Sequence, residues 1–152
     1  MAQVLSAGLL MYRRTDGVVE VLLVHPGGPF WAKKDFACWS FPKGESKEGE
    51  QLIDVAKREF EEETGLKPEG NFIYVGSAQR TGKTVEAWMF EGDCDTTKLV
   101  SNKIVIEWPP RSGKKIEIPE CDRGEFFAIP AAKERISKYL LPIIEAFEKA
   151  VL

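Results

Sequence analysis

The sequence is poor in the residues that build metal clusters and disulfide frameworks. One histidine, His25, and three cysteines, Cys38, Cys94 and Cys121, are spread over 152 residues. No Cys-x-x-Cys pair occurs and no second histidine supports the first, which argues against a structural zinc site and a disulfide scaffold. An odd, scattered set of thiols points to a reduced, cytoplasmic setting in which they are mostly buried. No apolar run reaches the roughly 18 residues of a membrane helix. The apolar stretch 4–11 lacks a basic flank before it and a small-residue cleavage pattern after it, so neither export nor a membrane partner is expected. Neither sign of charge dominates: 21 Lys and Arg stand against 24 Asp and Glu, a net charge of −3. Such a balance leaves no broad surface for extended nucleic acid, although a local basic pocket is compatible with it.

What is present is the making of one folded domain. Hydrophobic residues make up 43% and charged residues 30%, with nine Phe and four Trp, enough for a core in one domain and too little chain for two. Apolar runs at 4–12 and 18–25 flank Asp16-Gly17, a hairpin signal. Cys38-Trp39-Ser40-Phe41 reads as a short strand. The pattern over 50–64 is helical, with Gly65 placed to cap it. Strand patterns follow at 71–78, 84–91, 103–108, 115–118 and 125–129, and helical ones at 131–137 and 141–151. No repeat or linker divides the chain, which suggests one α/β or α+β domain.

The helix over 50–64 carries the chemistry. With Leu52 at zero and about 100° per residue, Ala56, Phe60 and Ile53 fall at about 40°, 80° and 100°, an apolar stripe. Glu59, Glu62 and Glu63 fall at about 340°, 280° and 20°, along the border of that stripe, whereas Glu61 points away. A plain surface helix with an Arg58–Glu62 pair is the ordinary explanation of such a charge run. Clustered carboxylates repel one another, however, and the last turns of a helix favour cations. A bound divalent cation resolves both conflicts, and oxygen-only ligands suit Mg2+ or Mn2+.

The residues run Gly44, five others, Glu50, seven others, then Arg58-Glu59-Phe60-Glu61-Glu62-Glu63-Thr64-Gly65-Leu66. This resembles the Nudix box, G-x5-E-x7-R-E-U-x-E-E-x-G-U with U a bulky apolar residue, and every fixed position matches. The mild departure is Phe60, where the family more often has Ile, Leu or Val. Nine constrained positions within 44–66 make the pattern specific. The resemblance implies the family's α/β/α sandwich, a single domain with a mixed β-sheet over 1–152. It also implies Mg2+-dependent hydrolysis of a nucleoside diphosphate linked to another moiety. Glu59, Glu62, Glu63 and the Gly44 carbonyl would hold the metal, with Glu59 alternatively the general base. Arg58 would orient the carboxylates and Glu50 would brace the loop before the helix. Family members often add an acid from a late loop, for which Glu120 is the best placed, ahead of Glu117 and Glu125.

The substrate is less constrained. Ser40-Phe41-Pro42-Lys43-Gly44 is similar to the approach to the box in diadenosine and diphosphoinositol polyphosphate hydrolases, which gives Lys43 a phosphate-binding role. Phe30 and Trp31 beside Lys33 and Lys34 suit either base stacking with phosphate contacts or a lid packed on the sheet. Arg111, with Lys114 and Lys115, forms a second basic patch that either faces the cleft or is a solvated turn. His25 reads as a strand-end residue rather than a catalyst. Gly76 to Thr84 imitates a phosphate-binding loop, but five residues separate its glycines and a strand pattern follows, so it reads as a hairpin turn. The expectation is a cytoplasmic hydrolase, monomeric or homodimeric, acting on a dinucleoside polyphosphate. The alternatives are a house-cleaning nucleoside triphosphate pyrophosphatase and a non-catalytic nucleotide sensor on the same scaffold.

Overall fold

In the computed structural model, which describes residues 4–152, Asp16 and Gly17 take positive φ values of 52° and 80°. Two positive φ values in a two-residue loop match the right-handed twist of the flanking strands. β1 (Val4–Thr15) therefore folds directly back onto β2 (Val18–Pro26), in register from Tyr12↔Val21 to Thr15↔Val18. β3 (Lys43–Glu45) pairs antiparallel with residues 6–8 of β1, and α1 (Leu52–Thr64) follows it. β4 (Ile73–Arg80) and β5 (Lys83–Glu91) form a second hairpin, whose β5 runs parallel to β1 from Val4↔Lys83 to Tyr12↔Glu91. β6 (Lys103–Glu107) and β7 (Lys115–Pro119) make a separate two-stranded sheet. β8 (Cys121–Ala128) returns to pair with β2, giving a mixed main sheet in the order β4-β5-β1-β2-β8. α2 (Ile129–Arg135) and α3 (Leu141–Val151) close the chain.

Strand alternation divides the core between the two faces of this sheet. Ala7, Leu9 and Met11 of β1 pack with Val55, Ala56 and Phe60 of α1. Leu10, Val21, Leu23, Val85 and Ala87 pack with Ile143, Ile144 and Phe147 of α3. Edge-on ring pairs Phe60–Phe90 at 5.3 Å and Tyr12–Phe147 at 5.5 Å lie one on each side. The expected α/β/α sandwich with a mixed sheet is the observed architecture. Among the described residues, no helix is long and apolar enough to cross a membrane.

Three local expectations change. Residues 38–41 form no strand; Ser40 bridges Val24 and Trp39 bridges Ile136 singly. Trp39 and Phe41 are apolar because both are fully buried, which imitates strand alternation. The strand lies just beyond, at Lys43–Glu45, where no apolar alternation announces it. α1 begins at Leu52 rather than 50, because Gln51 is extended (ψ 136°). The glycine expected to end it does so, with Gly65 left-handed at φ 78° and its N–H bonded to the Glu61 carbonyl. Gly82 (φ 74°) turns β4 into β5 with no helix after it, so the phosphate-loop imitation is the hairpin its pattern suggested. Cys38 is buried and Cys94 and Cys121 half-buried, all as free thiols.

Candidate active site

The acidic helix places its carboxylates where the wheel put them. Glu59 and Glu63 are buried, Glu62 is exposed at the rim, and Glu61 faces away. The helix has no basic residue in its last turn. Its final carbonyls are satisfied instead by a distant segment: Val100 N–H donates to the Thr64 carbonyl at 3.0 Å and Asn102 N–H to that of Glu62 at 2.7 Å. Such partners are what a helix end needs when no side chain caps it.

Arg58 lies at the centre of the acids. Its guanidinium reaches Glu59 at 3.1 Å, Glu50 at 3.2 Å and Glu62 at 3.4 Å. Glu50 also accepts the Lys47 N–H at 2.6 Å, which ties the loop before α1 to Arg58. Glu63 accepts the Lys43 N–H at 3.2 Å and so joins β3 to the helix. Gly44 sits against Glu59 so closely that a Cβ would stand 2.1 Å from the carboxyl carbon. No side chain fits there, which gives the glycine a physical reason.

Glu120, between β7 and β8, is brought to the same place. Asn102 holds it twice: the Glu120 N–H donates to the Asn102 carbonyl at 2.9 Å, and the Glu120 carboxylate accepts from the Asn102 side-chain amide at 3.0 Å. The charge of Glu120 acts on both Glu59 and Glu63. Burial, followed by Glu120 and Glu59, pushes Glu63 well above the usual carboxylate range. Burial, followed by Glu62, raises Glu59. The Cys121 thiol points at Glu63, 3.5 Å away, and burial and that acid push its own ionisation upward. Two cavities of about 210 Å³ flank Glu63 and share Val24 and Cys121. One is lined further by Thr96, Ser101 and Arg123, the other by Ser40, Lys43 and Glu120.

The remaining expected residues are distributed differently. Lys43 lines a cavity beside Glu63. Trp31, Lys33 and Lys34 line neither cavity. Trp31 packs on the core with Phe30 edge-on at 4.8 Å, and Lys34 lies 3.7 Å above the Phe30 ring, the arrangement of a packed lid. Arg111 occupies the tip of the β6–β7 hairpin, and its N–H bonds Glu107 at 2.8 Å. From Asn102 to that tip, the five residues of β6 span about 17 Å, so Arg111 is carried away from the acids. His25 is fully buried, 2.9 Å from Asp122 and 2.6 Å from the Lys34 carbonyl, a strand-end residue that fastens the lid. Cys121, Ser101 and Asn102 escaped the sequence reading. Their place depends on backbone pairing between segments about twenty residues apart, which no local spacing encodes.

The donor set fits a hard divalent cation. Glu59 and Glu63 lie together with raised proton affinity, and added positive charge relieves both their repulsion and the cost of burying them. Among the described residues, no three acidic, cysteine or histidine side chains already converge on one point as a closed cage. Arg58 engages Glu59 and Glu62 directly, and those two side chains would turn from it to bind.

Comparison with known proteins agrees with this geometry. The NUDIX domain family matches residues 2–138, and the chain belongs to the Nudix family of pyrophosphohydrolases. Its fold is that of C. elegans Ap4A hydrolase, at 21% identity over 97% of both chains with a TM-score of 0.63. The NUDIX domain of Shewanella oneidensis NrtR, solved with ADP ribose, matches at 16% identity over 100% of this chain and 90% of that one, TM-score 0.63. The MutT protein of Methanosarcina mazei matches at 19% over 99% and 96%, TM-score 0.61. No curated protein sequence matches.

Proposed function

We propose that this protein hydrolyses a pyrophosphate bond in a nucleoside diphosphate joined to another moiety, with dinucleoside polyphosphates as the substrate class. The observation that carries the reading is the acidic cluster of α1 and the β7–β8 connection, in which Arg58 pairs with Glu59 and Glu62 while Glu63, Glu120 and Lys43 line one cavity. Glu59, Glu62, Glu63, the Gly44 carbonyl and Glu120 would hold Mg2+ or Mn2+. Bound there, such an ion supplies positive charge against phosphate oxygens and makes a water acidic enough to react. On the alternative assignment, in which the other acids hold the ion, Glu59 takes the proton of the attacking water as general base. The water oxygen forms a bond to phosphorus as the bridging P–O bond breaks, and the leaving phosphate departs with that electron pair. Arg58 keeps the acids apart and oriented, and Lys43 meets the phosphate chain as a mobile point charge. The fold shared with C. elegans Ap4A hydrolase supports the dinucleotide class.

The test is turnover of diadenosine tetraphosphate, nucleoside triphosphates and ADP-ribose by purified protein with Mg2+, its products separated by ion exchange. Cleavage of the dinucleotide should be fastest, and Glu62→Gln should lower kcat about a hundredfold or more. Preferential release of pyrophosphate from single nucleotides would replace the substrate class with the triphosphate one. Saturable nucleotide binding with no turnover would replace hydrolysis with sensing.

A further inference from the structure

The β6–β7 arm stands apart from the main sheet as a pair of strands with no third. Its outer edges therefore present main-chain N–H and C=O groups, and the ladder between the two strands tells which ones. Trp108 N–H donates to the Lys114 carbonyl at 2.9 Å, and Glu120 N–H donates to that of Asn102 at 2.9 Å. Bonded and unbonded pairs alternate in an antiparallel ladder, so Ile104 and Ile106 are the β6 residues whose main chain faces β7. Lys103, Val105 and Glu107 turn their N–H and C=O outward instead, and among the described residues no strand meets them. All three are exposed, Val105 at 63%. Their side chains share one face of the arm, while Ile104, Ile106, Ile116 and Ile118 share the other. Ile106 and Ile118 lie against Gly28, which leaves Ile104 the exposed member of that face.

An open strand edge invites pairing, and proteins block it with charge, proline or a bulge. The outward residues of β7 are Lys115, Glu117 and Pro119, and that edge is blocked. Pro119 has no N–H to give, and pairing about the centre of the strand would set Glu117 against itself. The β6 edge differs because its charges are complementary to the same strand run backwards. Antiparallel pairing of two β6 strands about Val105 sets Lys103 of each opposite Glu107 of the other. The same register gives every outward N–H and C=O of residues 103, 105 and 107 a main-chain partner. Ile104 of each copy then meets Ile106 of the other at a closely spaced pair, which covers the exposed isoleucine. We infer that two copies of this chain join edge to edge through β6, antiparallel about Val105, in one continuous sheet β7-β6-β6-β7. The two-fold axis uses up both β6 edges and leaves only the blocked β7 edges outside, so assembly stops at two. The register also lays the Trp108 end of each β6 beside the Asn102 end of the other. The Arg111 tip, carried away from its own acids, is thereby brought back toward those of the second copy. The pairing itself does not depend on the hydrolase reading.

Sedimentation equilibrium of the full chain between about 1 and 100 μM reads this association, over the range suited to a small interface. The wild type should pass from monomer to dimer across that range and go no further. Lys103→Glu and Glu107→Lys each set like charges opposite one another at both ends of the pairing, and each should weaken association about tenfold or more. Mixed in equal amounts, those two variants should associate as tightly as the wild type, because each then faces the opposite charge. The double swap Lys103→Glu with Glu107→Lys should dimerise alone. Val105→Pro removes an outward N–H that β7 does not use, and should abolish the dimer while the circular dichroism spectrum is kept. Lys149→Gln, on α3, should change nothing. A wild type still monomeric at the top of the range overturns the pairing. So does a dimer that both charge variants leave intact, or a mixture of the two that fails to associate. Growth beyond two copies overturns the closed symmetry. If Val105→Pro fails to fold, the charge variants, altered only at exposed side chains, still decide the matter.

Discussion

Two like-charged clusters meet at Lys43, and they are built in opposite ways. The acids stand on a helix and a tethered loop, with Glu63 and Glu59 buried and held by backbone and guanidinium contacts. The cations Arg80 and Lys83 flank the turn of a β-hairpin on long stems, with Arg80 against the face of Tyr139. The acidic side fixes geometry, as a reaction centre must within fractions of an ångström. The basic side carries its charge on mobile stems.

Changes that blur the rigid end should have the largest effect. Gly44→Ala puts a methyl where the Glu59 carboxylate stands, and activity should fall by about a hundredfold or more while the protein still folds. Retained kcat in steady-state assays would show that Glu59 has room to move. Asn102→Ala removes the amide that holds Glu120, and metal affinity should weaken about ten- to a hundredfold by titration, as for other groups that orient a ligand.

A subtler contrast concerns stability without metal. The native protein holds the Glu63 proton more tightly than the unfolded chain does. Acidifying from neutral pH toward the ordinary carboxylate range should therefore stabilise the metal-free protein. Below that range the trend should reverse, because Asp35, Glu50, Asp93 and Asp95 are held below their usual values. Glu63→Gln should raise the metal-free Tm at neutral pH by a few degrees and flatten the stabilising limb. A Tm for Glu63→Gln that is lower than wild type at neutral pH would show that its hydrogen bonds matter more than its buried charge.

The rigid end was legible in the sequence and the compliant one largely was not. The helical wheel alone put Glu59, Glu62 and Glu63 on one border, because a helix converts spacing into direction. Gly65 and the Asp16-Gly17 turn were equally plain, since left-handed backbone selects few residues. β3 was missed because Lys43-Gly44-Glu45 has no apolar alternation, being paired along one edge of β1 only. Arg80 and Lys83 were seen only as parts of a turn. Their union with Lys43 and Tyr139 needs the parallel pairing of β1 with β5, a long-range fact. Arg111 and the lid residues Lys33 and Lys34 show the opposite limit: basic and aromatic composition marked them, but composition carries no direction.

That parallel pairing also bears on how the chain is made. Val4 meets Lys83 and Tyr12 meets Glu91, so during synthesis β1 waits for partners 79 residues behind it (83 minus 4, and 91 minus 12). Until then the strand partners of β1 among the described residues are β2 and the short β3, with α1 on one face. Closing such a loop before contacts reward it slows folding and leaves apolar strand surface open to other chains. Nascent chains ending before residue 91 should be the species most dependent on chaperones during synthesis. Glu120 arrives later still, so the acidic cluster is completed only after the central sheet has closed.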